Sequence, residues 1–192
     1  MDFPLQHAIS SALKEEENWN SGMIKAYEML SSDYLYADPF ELVIFPDNHD
    51  MDRFYTQVGH DMSLFKMGMI YFATMRGIPQ LYYGTEILME NAQDPGDHGV
   101  IRTDFPGGWE GDAVNTFSGE GLTAPQQEAQ IVVSKLFNWR KEQPVIHRGS
   151  LGCAYAKAHG EIPPGAYYGI SISSYRFFEH LCGDSLQRRR LL

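Results

Sequence analysis

Apolar positions recur at helical spacing over residues 5–13, where Leu5, Ala8, Ile9, Ala12 and Leu13 share one face. A second stripe, Met23, Ile24, Tyr27 and Leu30, predicts a helix over 22–30, with Ser21 as its N-cap. Asp38-Pro39 breaks the chain. Leu42-Val43-Ile44-Phe45 is a continuous apolar run that suits a strand covered on both faces, and it ends in the polar cluster Pro46-Asp47-Asn48-His49-Asp50. Residues 62–76 are apolar nearly all round, as a mostly buried helix would be, and Gly77 stands where a helix stops. A second short strand is expected over 78–83, closed by Gly84, with Pro79 tolerable near its start.

Residues 85–124 lack periodicity and are rich in Gly, Asp and Asn; so long a loop inside a domain is usually functional or disordered. Its aromatic residues Phe105, Trp109 and Phe117 favour function. A last helix is expected over 125–143, with Ile131, Val132, Leu136 and Trp139 facing inward, Pro125 in its first turn and Pro144 just past its end. Strands alternating with helices predict βαβ units and a parallel sheet. Two strands, or three if residues 1–3 end another, are too few for a covered parallel sheet. Either the tail supplies more, or the chain is part of something larger. From residue 149 the pattern weakens into Gly, Ser, Pro and Tyr, ending in Arg188-Arg189-Arg190, which reads as a solvated end before an anion-binding one.

Composition narrows the functions. The 192 residues carry 15 Lys+Arg against 25 Asp+Glu, a net charge of −10, which argues against nucleic acid as the main partner. No apolar run is long enough to span a membrane, and the first residues carry no signal-peptide pattern. The two cysteines, Cys153 and Cys182, make neither a disulfide framework nor a zinc site. There is no G-x-S-x-G and no phosphate-binding glycine loop.

The richest chemistry lies directly after the first apolar strand, the place where α/β architectures build their sites. Asp50 there could stabilise developing positive charge or accept sugar hydroxyls, and His49 could donate to one. The plainer reading is a polar loop in which Asp50 or Asp52 caps the next helix. Arg53 either orients Asp50 or points to solvent. A rival reading makes His49-Asp50, with His60-Asp61, the metal-binding pairs of a phosphohydrolase. In the long loop Asp94, Asp97, His98, Arg102, Asp104 and Trp109 would suit a carbohydrate, or else form ordinary surface salt bridges. Glu86 reads as structural.

Three segments together resemble a known family. Phe45-Pro46-Asp47-Asn48-His49-Asp50 is similar to the fourth conserved region of the α-amylase superfamily, glycoside hydrolase family 13. Gly77-Ile78-Pro79-Gln80-Leu81-Tyr82-Tyr83-Gly84-Thr85-Glu86 resembles the segment one strand later. The stretch from Asp97-His98-Gly99-Val100-Ile101-Arg102 to Asp104-Phe105-Pro106-Gly107-Gly108-Trp109 resembles the neopullulanase and cyclomaltodextrinase branch, in particular the starch-processing enzymes of gut Bacteroidota. The resemblance covers residues 1–148.

It implies an α/β fold, a partial (β/α)8 TIM barrel from the end of the sixth strand through the eighth helix, followed by a divergent or disordered tail over 149–192. It implies that Asp50 is the catalytic carboxylate that binds sugar hydroxyls and stabilises the transition state, and that His49, Asp97 and Arg102 bind substrate. The implied partners are α-glucan oligosaccharides: starch, pullulan or cyclodextrins. The family's nucleophilic Asp and acid/base Glu, a pair about 5–5.5 Å apart in retaining glycosidases, match no residue here. The resemblance therefore implies a piece that is inactive alone, or a non-catalytic carbohydrate-binding or complementing piece that pairs with an N-terminal half-barrel or a second copy. It assigns no cofactor to these residues, places calcium in the longer relatives, and implies a periplasmic or extracellular parent. The family continues into a β-sandwich; the tail lacks that alternation, as a frameshift near residue 150 or true divergence would produce.

Overall fold

One short strand organises the sheet. β1 (Val43–Ile44) runs parallel to β2 (Ile78–Pro79), with Val43 opposite Ile78 and Ile44 opposite Pro79. The Leu42 and Ile44 carbonyls accept from the Ile78 and Gln80 amides at 2.8 Å, while the Val43 carbonyl accepts from the Asp2 amide, also at 2.8 Å. Successive carbonyls of a strand point to opposite edges, so β1 is interior, flanked by residue 2 on one side and β2 on the other. The third strand expected at residues 1–3 reduces to that one bond. Asp2 turns at once to cap α1 (Phe3–Lys14), its side chain accepting from the Leu5 amide at 3.0 Å.

The computed structural model describes residues 1–149 and the strands 153–155 and 168–170. The chain separates into two units, Met1–His147 and Arg148–Leu192. In the second, β3 (Cys153–Tyr155) pairs antiparallel with β4 (Tyr168–Ile170). The Arg188-Arg189-Arg190 run and Cys182 lie outside the described residues.

The remaining α-helices are α2 (Ile24–Ser31), α3 (Phe54–Gln57), α4 (Met62–Thr74), α5 (His98–Ile101), α6 (Ala124–Lys141) and α7 (Pro144–Arg148). Both strands are shorter than the apolar runs suggested. Pro46 ends the first, and past Gln80 the chain leaves the ladder. α2 starts later than expected, and Ser21 does not cap it. Ser21 donates its hydroxyl to the Glu16 carbonyl at 2.7 Å, and the Glu17 carboxylate accepts from the Met23 amide at 3.0 Å. A carboxylate at a helix N-terminus satisfies the same unpaired N–H groups.

α3 and α4 pack through phenyl rings: Phe54 lies 5.9 Å from Phe65 and 6.1 Å from Phe72 between centroids. Gly68 makes this possible, because a Cβ there would come within 2.3 Å of the Phe54 ring. α4 stops at Thr74, before Gly77, because Met75 is already extended, with ψ 159°. Gly77 is needed for another reason. Its φ is +100°, and a Cβ would meet the Leu42 carbonyl at 2.6 Å, so it lets β2 approach β1.

Two buried arginines tie these layers together. Arg76 pairs with Asp2 at 2.8 Å and with Asp33. Arg140 of α6 donates to the Ala73, Met75 and Gly77 carbonyls, at 2.6, 3.0 and 2.6 Å, completing the end of α4. Side chains also order the stretch over 85–124. The side chains of Thr56, Asp52, Asp97, Asp112 and Asn115 each accept from a backbone amide there. Among the described residues no helix is long and apolar enough to cross a membrane.

Candidate functional site

The turn after β1 divides its polar residues between anchoring and display. Asp47 and Asn48 are buried; His49 and Asp50 are exposed. The Asp47 carboxylate accepts from the Phe54 amide at 2.8 Å and from the Thr85 hydroxyl at 2.8 Å. Burial pushes its pKa up to about 6, against the lowering effect of those two donors and of the Arg53 charge. Asn48 accepts from the Asp50 amide at 2.8 Å and fixes the backbone of the displayed pair. The cap of α3 therefore comes from Asp47, and neither Asp50 nor Asp52 serves as one. Asp52 accepts from Asn91 Nδ2 at 2.6 Å and the Gly96 amide at 2.7 Å.

Asp50 meets three side chains. Arg102 Nη2 lies 2.7 Å from one of its oxygens, His49 Nε2 3.1 Å from the other, and His98 Nδ1 3.9 Å away. Arg102 also donates Nε to the His49 carbonyl at 2.9 Å, so one guanidinium grips both the carboxylate and the backbone that presents it. His98 Nδ1 lies 2.7 Å from Arg102 Nη2. A guanidinium only donates, so in this contact Nδ1 is the acceptor. The Asp50 side chain is 57% exposed, which leaves room for hydroxyl groups.

α5 brings His98 and Arg102 together at a separation of four residues, one helical turn. Asp97 caps that helix, its Oδ1 accepting from the Gly99 and Val100 amides at 2.7 and 3.0 Å. Asp97, the residue expected to bind substrate, thereby also places His98 and Arg102.

Arg53 departs from both expectations, since it is fully buried and forms no ion pair with Asp50. Its guanidinium lies 4.2 Å from the Tyr82 ring centroid and 5.0 Å from that of Tyr83, and it donates to the Ile101 carbonyl at 2.9 Å and to the Tyr83 carbonyl. It thereby pins the chain immediately before Arg102. Burial raises the Tyr82 pKa to about 12, so the phenol stays protonated.

The metal reading finds no support in the geometry. His60 pairs with Glu90 at 3.0 Å while Asp61 caps α4, and the Asp50 carboxylate already has a guanidinium on it. Among the described residues no three His, Cys, Asp or Glu side chains gather as a metal-binding group. A cavity of about 640 Å³ lies elsewhere, between α6 and the chain after β2, lined by Leu81, Glu86, Ile131, Ser134, Phe137 and Asn138. Glu86 there is half-buried, and burial raises its pKa.

Three comparisons bear on this arrangement. Residues 1–147 match the family model "Alpha amylase, catalytic domain". The cyclomaltodextrin glucanotransferase of Thermoanaerobacterium thermosulfurigenes is 29% identical over 150 residues, 78% of this chain and 18% of its own length. That of Bacillus sp. (strain 1011) is 36% identical over 115 residues, 60% of this chain and 13% of its own. The α-amylase of Geobacillus thermoleovorans, solved in complex with acarbose, superposes with a TM-score of 0.57 at 27% identity, over 81% of this chain and 31% of that one. The chain thus spans under a fifth of the length of these curated relatives.

Proposed function

The chain belongs to the α-amylase catalytic-domain family, and on that premise we propose that it supplies the auxiliary-carboxylate side of an α-glucan-cleaving site. The reading rests on one observation. Asp50 stands exposed just past the end of a parallel strand, gripped by Arg102 and flanked by His49. Charged hydrogen bonds of this kind hold a carboxylate in one orientation. In that orientation Asp50 accepts two sugar hydroxyls and stabilises positive charge developing on the ring, and His49 donates to a further hydroxyl of the same sugar.

In this reading β1 and β2 are the seventh and eighth strands of a (β/α)8 barrel, and Asp2 marks the end of the sixth. The nucleophilic Asp and the acid/base Glu come from strands outside these 192 residues. The substrate is an α-glucan such as starch, pullulan or a cyclodextrin. The Asp104-Phe105-Pro106-Gly107-Gly108-Trp109 segment supports the neopullulanase and cyclomaltodextrinase branch, although the similar curated proteins above are glucanotransferases. Hydrolysis and transfer share the glycosyl-enzyme step and differ in the acceptor, so the role of Asp50 is common to both.

The test is release of reducing ends from maltoheptaose. The purified chain should release none. Turnover that Asp50→Asn abolishes, with no second chain present, would show that a nucleophile and an acid lie within these residues and would overturn the proposal. A second reading, a non-catalytic glucan-binding or complementing piece, is favoured by the outer edge of β2, which pairs with no further strand among the described residues and where Ile78 is 56% exposed. Such an edge accepts a further strand.

A further inference from the structure

A line of aromatic rings leads away from the Asp50 cluster. His49 lies 6.5 Å from Tyr82 between centroids, Tyr82 4.5 Å from Tyr83, Tyr83 6.4 Å from Phe105, and Phe105 5.5 Å from Phe117. The near end is packed over the buried Arg53. The far end is open: Phe117 is 77% exposed. A lone exposed apolar side chain needs no explanation. An exposed phenyl that is rigidly held and continuous with a polar site is different.

The rigidity is visible in the turn that carries it. Asn115 and Glu120 close an antiparallel bridge, the Asn115 amide donating at 2.8 Å. Asn115 Oδ1 accepts from the Phe117 and Ser118 amides at 3.0 and 3.1 Å. The buried Thr116 donates its amide to the Pro106 carbonyl at 3.2 Å and accepts at its carbonyl from Gln130 of α6, also at 3.2 Å. The backbone beside Phe117 is therefore fixed to two separate parts of the first unit, and Phe105 braces its ring at 60°. Turn tips ordinarily carry small polar residues. Here the turn presents a ring to solvent, beside the exposed Ser118 and Glu120.

We propose that Phe117, braced by Phe105, is a distal stacking platform for an α-glucan whose other end lies on His49 and Asp50. The inference rests on the glucan reading of Asp50 and adds a second point of contact to it. The electron-rich face of an aromatic ring attracts the weakly positive C–H face of a pyranose, and it does so in water because both surfaces are apolar. Only a chain long enough to reach from Asp50 along the aromatic line engages Phe117. Its contribution therefore shows in long oligosaccharides and not in short ones.

The experiment is calorimetric titration of the full chain with maltotriose and with maltoheptaose, for the wild type, Phe117→Ala, Phe117→Tyr and Asp50→Asn. Phe117→Ala should weaken maltoheptaose about five- to tenfold, the scale of one aromatic contact, and leave maltotriose unchanged. Phe117→Tyr should restore the long ligand. Circular dichroism confirms that each variant is folded. If Phe117→Ala binds both sugars as the wild type does while Asp50→Asn loses both, the platform is wrong and the glucan reading stands. If the wild type binds neither sugar, both fall.

Discussion

Arg102 and Asp50 form a pair whose work is orientation. The guanidinium bonds the carboxylate at 2.7 Å and, through Nε, the His49 carbonyl at 2.9 Å, yet both side chains are well exposed, at 44% and 57%. An exposed ion pair adds about 0–1 kcal/mol to stability. Its value lies in holding Asp50 and His49 in one geometry before a ligand arrives.

Replacing Arg102 therefore separates stability from binding. Arg102→Ala should change the free energy of unfolding in urea by less than about 1 kcal/mol, while maltoheptaose binding weakens by about an order of magnitude, the scale of a lost charged hydrogen bond. Arg102→Lys, which cannot grip two acceptors with one planar group, should fall between. Unchanged binding in Arg102→Ala would contradict the orienting role.

Asp47 makes stability depend on pH in a direction unusual for a carboxylate. Folded, it titrates near 6, against an ordinary value of 3.8. Between those values the folded state keeps a proton that the unfolded state has released, so stability falls as pH rises through the window. Asp47→Asn keeps an acceptor for the Phe54 amide and a donor for Thr85 without the charge. Relative to Asp47→Asn, the wild type should lose about 2–3 kcal/mol between pH 4 and pH 7. Urea unfolding of both proteins at several pH values checks this; parallel pH profiles would refute it.

Arg140 holds three buried carbonyls at the end of α4 and before β2. Arg140→Met matches its bulk but donates to none of them. It should cost about 3 kcal/mol, since each orphaned carbonyl costs on the order of 1 kcal/mol or more. Thermal and urea unfolding would show it as a lower midpoint with an unchanged slope.

Gly68 is a packing residue. Gly68→Ala improves helix propensity by about 1 kcal/mol, but its methyl collides with the Phe54 ring, 2.3 Å from an ideal Cβ. The collision should win, giving net destabilisation of about 1–3 kcal/mol. Phe54→Leu in the same chain should relieve part of it. A double-mutant cycle on unfolding free energies measures that coupling.

The elements with long apolar periodicity were legible in the sequence. α1, α4 and α6 fall within a few residues of the stretches predicted, since their buried stripes decide them. Strand ends were less legible. An apolar run such as Leu42-Val43-Ile44-Phe45 reports burial, and burial continues into the turn at Phe45 and Pro46 after the ladder has ended. The position of Asp50 after a strand was readable from the apolar-to-polar switch. Its pairing with Arg102 spans 52 residues and was not, because no local pattern encodes a contact across a loop. His98 had a usable signal in its four-residue spacing from Arg102. Arg53 was misread because a charged residue three after Asp50 looks solvent-facing, and only the fold reveals Tyr82 and Tyr83 above it.

The most direct measurement is the heat of maltoheptaose binding to the chain and to its Asp50→Asn variant, titrated side by side at neutral pH. A saturable isotherm for the wild type, weakened at least tenfold by removing one charged oxygen, is the expected result. Equal isotherms, or heat that survives in the variant unchanged, would mean that the carboxylate after β1 does not hold the sugar.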